Sequence, residues 1–307
     1  MGLIRRLKVT QRAMERAMLG VSLRDRVRNE DILIAWGDCY DPPVLLVHGS
    51  MDSAISFRPL VSKLPKNFYY IGMDLPGNGK SDRFLPGLML STYDMVYSVH
   101  AVVKHFRWTT FTLIGHSFGA YVGKYSKIQN KLVNLDPINF FAVPPEEFRR
   151  WYHIFYTDFY KNYEKVNTQP ENAPKIKWEE LGTRRRCVIV VEYYYYIIFI
   201  YFLHRYTYDL RMKHISGPAY SPEHVKKLFT TTKTPTLTIA CQKSLKNQLF
   251  RNTDFLLDEA EFANKNLRFR PVEGTHDVHI SHPERVAIYL GQLLVHGLEG
   301  LDSKAKL

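Results

Sequence analysis

Residues 111–125 read FTLIGHSFGAYVGKY and place the pattern G-x-S-x-G between an apolar, β-prone run and a stretch that can start a helix. A serine at a sharp turn from strand to helix has strained backbone dihedral angles, and its neighbours two residues away must lack bulk. Gly115 and Gly119 meet that need and leave Ser117 exposed above the edge of a sheet. The pattern predicts a nucleophile elbow, and the alternative is a glycine-rich turn with a solvated serine.

The sequence around this stretch alternates between short apolar runs and longer helical stretches. Strands are predicted at residues 32–37, 44–47, 69–73, 111–114, 132–136, 236–240 and 266–272, and helices at 57–64, 93–105 and 283–295. The run at 44–47 is continuously apolar, as expected of a strand that is covered on both faces. Strands that alternate with helices predict an α/β fold with a mostly parallel, doubly wound sheet.

Residues 140–225 lose this alternation and are rich in Tyr, Phe and Lys, which predicts an inserted, mainly helical cap. The chain then divides into four parts. They are an atypical basic helical arm at 1–30, a first part of the core at 31–139, the cap at 140–225 and a second part of the core at 226–307.

The composition is that of a globular protein, and 307 residues can bury one large core or a core plus a smaller domain. The net charge is +12, of which the arm contributes +5 through eight basic and three acidic residues. No motif that reads bases or cradles phosphates accompanies the arm, so we expect no nucleic-acid partner. Cys39, Cys187 and Cys241 show no metal-binding spacing and suit a reducing compartment.

The sequences at the two ends of the chain bear on the cellular compartment of the protein. The first residues lack an apolar segment followed by a small-residue cleavage site, which argues against a secretory signal. The last three residues, Ala-Lys-Leu at 305–307, nearly match the peroxisomal address S-K-L, and the alternative is a frayed polar tail. We therefore expect a cytoplasmic or peroxisomal protein.

Residues 184–204 read RRRCVIVVEYYYYIIFIYFLH and are long enough to suggest a membrane span. Glu192 and the four consecutive tyrosines argue against one, as does the position of the run inside the cap. Codons for Tyr, Ile and Phe are AT-rich, so a translated intron explains the run better. We expect no stable membrane span.

Several ordered motifs accompany the elbow. They are Ala35-Trp36-Gly37, Val47-His48-Gly49, Asp52-Ser53-Ala54, MDLPGNGKS at 73–81, and Gly274-Thr275-His276. With these motifs, residues 31–139 and 226–300 resemble the α/β-hydrolase fold, and within it the serine hydrolase-like proteins of animals, including insect probable serine hydrolases. A second resemblance covers only residues 8–25, KVTQRAMERAMLGVSLRD, which are similar to the C-terminal region of reverse transcriptases from insect non-LTR retrotransposons. It indicates a transposon-derived exon or a gene-model fusion.

The hydrolase resemblance implies roles for individual residues. Ser117 would be the nucleophile and His276 the general base, with His279 and His282 as nearby rivals. Backbone N–H groups of Phe118 and Ser50 would form the oxyanion hole. His48 and His116 would line the substrate pocket. No metal or cofactor is implied.

The catalytic acid is missing from its commonest place, since the strand at 236–240 is followed by CQKSLK. Asp136, which ends the preceding core strand, is the best substitute, and its alternative role is to cap a turn before Pro137. Asp254 and Asp258 are weaker candidates because they lie further along the chain.

A serine at the elbow implies acyl chemistry on an ester, thioester or amide, and a cap rich in Tyr and Phe fits a small-molecule substrate with an apolar acyl group. We expect a serine hydrolase that acts on a carboxylester or thioester through a Ser-His-Asp triad. The alternative is a catalytically impaired or non-enzymatic hydrolase-fold protein from an aberrant gene model. Only residues 120–131 separate the elbow from the next strand, so a short elbow helix and looser packing behind Ser117 are expected.

Overall fold

The computed structural model describes residues 33–85, 87, 89–126, 128–138, 141–167, 176–177, 203–204 and 208–302. The predictions for the basic arm at 1–30, for residues 184–202 and for the C-terminal tripeptide at 305–307 lie outside these residues. Within the described part of the chain, no helix has both the length and the apolar character needed to cross a bilayer.

One seven-stranded sheet forms the centre of the protein. Its strands are β1 (Leu33–Trp36), β2 (Pro43–Val47), β3 (Tyr69–Met73), β4 (Thr112–His116), β5 (Lys131–Leu135), β8 (Thr236–Cys241) and β9 (Leu267–Val272), and a separate antiparallel pair consists of β6 (Ile176–Lys177) and β7 (Leu203–His204). The order in the sheet is β1-β3-β2-β4-β5-β8-β9, with β1 antiparallel to β3 and every other pairing parallel. The predicted mostly parallel sheet is therefore confirmed.

The helices connect the strands and cover the sheet. They are α1 (Arg58–Val61), α2 (Thr92–Phe106), α3 (Phe118–Ser126), α4 (Phe148–Tyr152), α5 (Asp158–Lys161), α6 (Tyr163–Val166), α7 (Pro222–Thr230), α8 (Gln242–Lys246), α9 (Val278–Ser281) and α10 (Pro283–Asp302). Short 3₁₀ turns lie at Ala54–Phe57, Pro145–Glu147, Leu210–His214, Asp254–Leu257 and Glu259–Glu261, and a π turn at His153–Thr157. The predicted helix at 93–105 is confirmed as α2, whereas the stretch at 57–64 divides into a 3₁₀ turn and α1. The last helix runs beyond residue 295 to Asp302, across a kink at Gly297.

Alternate side chains of the central strands enter two separate cores. Leu45 and Leu113 pack on the face that α2 and α3 cover, while Leu46 and Ile114 pack on the face covered by α1 and α10. Successive side chains of a strand point to opposite faces, so a strand with helices on both sides must be apolar throughout. This explains the uninterrupted apolar runs in the sequence.

The cap segment, defined here as residues 141–167 and 208–221, is joined to the core through Arg211, which also forms a buried ion pair within the segment. Arg211 Nη2 lies 2.6 Å from Asp209 Oδ2, and both side chains are nearly inaccessible to solvent. The Arg211 guanidinium also donates to the carbonyls of Phe84 and Leu85 in the loop after β3. Because every charge of this pair has a partner, the contact fixes the cap segment to that loop.

The predicted end of the cap, residue 225, falls inside α7. That helix begins at Pro222, after the N-cap Ser221. Val225 and Phe229 of α7 pack with Phe255 and Leu267, which belong to the second part of the core. Through these two side chains α7 packs against the second part of the core.

The elbow helix α3 is short, as expected, with nine residues. The looser packing expected behind Ser117 is not found, because Phe118 through Lys124 are all buried. Lys124 is 7% exposed, and its Nζ lies 4.7 Å from the centre of the Phe229 ring. The amino group of Lys124 thus lies enclosed between the elbow helix and α7.

Burial lowers the pKa of Lys124 to about 7, against an ordinary value of 10.5. Between these two values the unfolded chain binds a proton that the folded chain does not, so stability rises with pH by about 1.4 kcal/mol per unit. Below pH 7 both states carry the proton, and the full penalty of the buried charge remains. We expect Lys124→Met to raise the melting temperature most near pH 6, with a gain that shrinks towards pH 10.

The control is Lys104→Met, which alters an exposed lysine of the neighbouring helix α2. Its melting temperature should follow that of the parent at every pH. A gain for Lys124→Met that is the same at all pH values would show that Lys124 does not change its protonation on folding.

Candidate active site

Ser117 occupies the sharp turn between β4 and α3 with a φ of 52°, in the left-handed region. Its amide donates to the Leu135 carbonyl at 2.9 Å, which ties the turn to the end of β5. A Cβ on Gly115 would lie 2.4 Å from the Gly119 carbonyl oxygen, and one on Gly119 would lie 2.1 Å from the Val47 carbonyl oxygen. Both obstacles are backbone atoms, so the predicted need for two glycines around the serine is confirmed.

Asp136 and His276 meet beside this turn. His276 Nδ1 lies 2.6 Å from Asp136 Oδ2. Asp136 follows β5 with a φ of 45° and is 1% exposed, whereas His276 lies in the loop after β9 and is partly exposed. An ionised carboxylate only accepts hydrogen bonds, so Nδ1 carries the proton and Nε2 is left as an acceptor.

Two further donors hold the Asp136 carboxylate. The Cys241 amide donates to Oδ1 at 2.8 Å, and Ser244 Oγ donates to Oδ2 at 2.5 Å. Both donors follow or end β8, the strand after which the acid was expected. Burial first, and then the charge of Asp136, raises the pKa of the Cys241 thiol, so this neighbour remains neutral.

The rival histidines lie elsewhere. His279 is fully buried, and its ring centre lies 5.3 Å from that of Phe57 and 4.2 Å from that of His116. His282 is exposed, with Nδ1 3.5 Å from Glu284 Oε1. Among the described histidines, His276 is the one that contacts Asp136.

The two weaker candidates for the acid accept hydrogen bonds from backbone amides. Asp254 Oδ1 accepts from the Phe255 amide, and Asp258 Oδ1 accepts from the Ala260 amide. Both side chains therefore stabilise the starts of short 3₁₀ turns, a common use of aspartate.

Ser50 and Phe118, the two expected oxyanion donors, line the same cavity as Ser117. Phe118 is the first residue of α3, and the first N–H groups of a helix have no acceptor within it. Ser50 follows β2 and precedes Met51, whose φ of 59° turns the chain sharply. Both backbone segments thus border the space in front of the serine.

His48 and His116 have different environments. His48 is not among the residues that line the cavity, because its ring is fully buried, with Nδ1 donating to the Gly49 carbonyl and Nε2 accepting from the Leu75 amide. The expected pocket role of His48 is corrected to one of holding two loops together. His116 does line the cavity, and its Nε2 donates to the His276 carbonyl at 2.9 Å.

The motif at 73–81 also proves to be structural. Asp74 accepts from the Ala54 amide at 2.7 Å and from the Lys80 amide at 2.8 Å. A Cβ on Gly79, which has a φ of +55°, would collide with the Asp74 carboxylate. Asp74 therefore stabilises the loop after β3, which packs closely against its carboxylate.

Asp52, His116 and His279 are the described residues that come close enough for a cation, with one ligand atom each within 4.8 Å of the others. His116 already donates to the His276 carbonyl through Nε2, so that nitrogen is not available to a cation. The trio packs beside the serine turn.

A cavity of about 950 Å³ opens in front of Ser117 and His276. Its wall on the cap side is largely apolar. The apolar side chains there are Phe141, Trp151, Ile154, Phe155, Met212 and Ile215. The sequence predicted an aromatic cap but not the cations that also line the cavity, Arg150, Lys213 and Arg251, because nothing in the sequence separates them from other surface charges.

Comparison with known proteins agrees with this architecture. Residues 42–174 match the family model described as the alpha/beta hydrolase fold. A hypothetical protein from Pseudomonas aeruginosa superimposes with a TM-score of 0.66 at 17% identity, over 86% of this chain and 95% of that one. An esterase from Thermogutta terrifontis superimposes with a TM-score of 0.56 at 18% identity, over 85% of this chain and 92% of that one. The chain is an α/β-hydrolase-fold protein.

Its sequence is similar to serine hydrolase-like proteins. It is 41% identical to the one from Mus musculus over 114 residues, which is 36% of this chain and 37% of that protein. It is 39% identical to the one from Homo sapiens over 107 residues, which is 33% of this chain and 53% of that protein. It is 31% identical to a probable serine hydrolase from Drosophila melanogaster over 107 residues, which is 33% of this chain and 32% of that protein. The similarity thus spans about a third to a half of the length of these relatives.

Proposed function

We propose that the protein is a serine hydrolase that cleaves a carboxylester or thioester of an apolar acyl group. The observation that carries the proposal is the 2.6 Å contact between His276 Nδ1 and Asp136 Oδ2 at the wall of the cavity that Ser117 also lines. Ser117, Asp136 and His276 each follow a different strand of the sheet, in the chain order serine, acid, histidine. That order is the one used by hydrolases of this fold.

In the proposed reaction, Ser117 Oγ attacks the acyl carbonyl carbon while His276 Nε2 takes the hydroxyl proton. Asp136 keeps the imidazole in the correct tautomer and stabilises its charged form. The backbone amides of Phe118 and Ser50 donate to the oxyanion of the tetrahedral intermediate. His276 then protonates the leaving group, and a water molecule, activated by the same imidazole, releases the acid from Ser117.

The cavity wall supports an apolar acyl group. Six apolar side chains of the cap segment face a volume large enough for a chain of several methylenes, and burial of each methylene contributes about 0.8 kcal/mol. One of the structures that share this fold is a thioesterase domain from the curacin biosynthetic pathway, and another is an esterase. Both kinds of substrate suit the proposed chemistry.

Covalent labelling with a fluorophosphonate probe tests the proposal. We expect the parent protein to be labelled and Ser117→Ala not to be, because the probe reacts with an activated serine. Ser126→Ala is the control, since that hydroxyl lies on the same helix and bonds to the Gly123 carbonyl and Gln129. Labelling that persists in a folded Ser117→Ala variant, or a folded parent that is never labelled, would contradict the proposal.

A further inference from the structure

The charges that line the cavity are separated in space. Asp52 and Asp277 belong to core loops beside the serine and the histidine, and Asp277 is 8% exposed. The cations of the lining lie elsewhere. Arg150 and Lys213 project from the cap segment, and Arg251 comes from the segment after α8. The part of the wall near the reacting atoms is therefore acidic, and the part formed by the cap segment is basic.

Arg251 is paired with an acid of the cap segment. Arg251 Nη2 lies 2.8 Å from Glu147 Oε1, and both side chains are partly exposed. Glu147 is the one acidic residue of the described cap segment that lines the cavity. Within the described part of the chain, Arg150 has no carboxylate within ion-pair distance. The Arg251–Glu147 pair therefore leaves the positive charge of Arg150 on this wall.

The apolar part of the wall joins the two charged regions. Trp151 and Ile154 adjoin Arg150 along the chain, and Met212 adjoins Lys213. A ligand that fills the cavity from the serine to the cap segment therefore contacts the core loops with their carboxylates, the apolar side chains, and the cations of the cap segment. An anionic group beside Arg150 on the cap side would be attracted by the guanidinium, whereas one beside Asp52 and Asp277 would lie next to carboxylates.

We propose that Arg150 and Lys213 form an anion-binding subsite, and that the enzyme prefers acyl esters or thioesters that carry a carboxylate or phosphate remote from the reacting carbonyl. The inference rests on the proposed hydrolase function for its catalytic part and on the cavity alone for its binding part. Guanidinium and ammonium groups bind both kinds of anion through charge-assisted hydrogen bonds.

The binding part is tested without turnover, in the Ser117→Ala protein. Octyl phosphate and 1-octanol have the same apolar chain and differ in the anionic group, so calorimetry gives the ratio of their affinities. Adding Arg150→Gln and Lys213→Gln should lower that ratio about tenfold or more. Arg149→Gln is the matched control, because Arg149 is the preceding exposed arginine and does not line the cavity.

A ratio that is unchanged in the double variant overturns the subsite. So does an equal loss with Arg149→Gln, which would indicate a general effect of surface charge. These outcomes are independent of catalysis, since the serine is absent in every protein compared.

Kinetics then determine which part of the substrate carries the anion. Mono-p-nitrophenyl suberate and p-nitrophenyl octanoate differ by a carboxylate at the end of the acyl chain. Octanoyl phosphopantetheine and octanoyl pantetheine differ by a phosphate on the leaving group. We expect one of these pairs to show a kcat/KM at least about tenfold higher for the anionic member, and this preference to disappear with Arg150→Gln and Lys213→Gln.

Equal hydrolysis within both pairs would overturn the substrate preference while leaving the hydrolase function intact. Conversely, a parent protein that hydrolyses no member of either pair and resists the fluorophosphonate probe, although octyl phosphate binding depends on Arg150, would refute the hydrolase function and keep the subsite. The two proposals thus fail in distinguishable ways.

Discussion

Replacement of Asp136 by asparagine is expected to lower kcat by about four orders of magnitude. The amide can present its NH₂ group to His276 Nδ1, which favours the tautomer with its proton on Nε2. That nitrogen then cannot accept the proton of Ser117. The volume is unchanged, the Cys241 amide still donates to the Oδ1 position, and the Ser244 hydroxyl can accept from the NH₂ group that replaces Oδ2, so the fold should persist.

Asp254→Asn is the matched control, since Asp254 is an exposed aspartate that was a weaker candidate for the acid. Its activity should equal that of the parent. The measurement is steady-state hydrolysis of p-nitrophenyl octanoate, with circular dichroism to verify folding. A loss of less than about tenfold for Asp136→Asn, which is under ~1.4 kcal/mol of barrier, would show that Asp136 is not the acid.

Addition of a single methyl group at Gly119 is expected to destabilise the protein by about 3–5 kcal/mol. The Cβ of alanine would lie 2.1 Å from the Val47 carbonyl oxygen and 2.6 Å from that of His48. Neither atom can move alone, because β2 is a central strand with a partner on each side. Helix α3 must therefore shift away from the sheet and move Ser117 with it.

Gly291→Ala provides the contrast, because this glycine lies inside α10 and the nearest atom to its added Cβ, in Pro65, is 3.8 Å away. We expect that variant to gain about 0.5–1 kcal/mol from helix propensity. Urea unfolding of both variants gives the comparison. Equal stability of Gly119→Ala and the parent would mean that the elbow tolerates bulk, against the steric account of the motif.

Local patterns predicted much of this architecture. The strand at 44–47, the helix at 93–105 and the elbow itself all follow from rules that act within a few residues, namely side-chain periodicity and steric exclusion at a tight turn. Such signals are present in the chain before it folds. The short elbow helix could be read from loop length for the same reason.

Local patterns named Asp136 as the best candidate for the acid but left its alternative role, capping a turn, open. Asp136 and His276 are 140 residues apart in the chain, and their contact depends on the register that places Leu135 opposite Ile239. Sequence alone also misplaced His48, since a histidine next to a glycine loop can face a cavity or, as here, join two backbone segments. Packing of the loop around Leu75 decides between them.

The adjacent ends of β5 and β8 have a consequence for how such a site can change during evolution. Ser244, in the turn after β8, donates to the same Asp136 oxygen that binds His276, so two positions far apart in sequence share one location in space. A carboxylate can therefore migrate from one strand end to the other by exchange of two side chains, while the imidazole and its partner stay where they are. Homology at one strand end is then a poor guide to where a lineage keeps its acid.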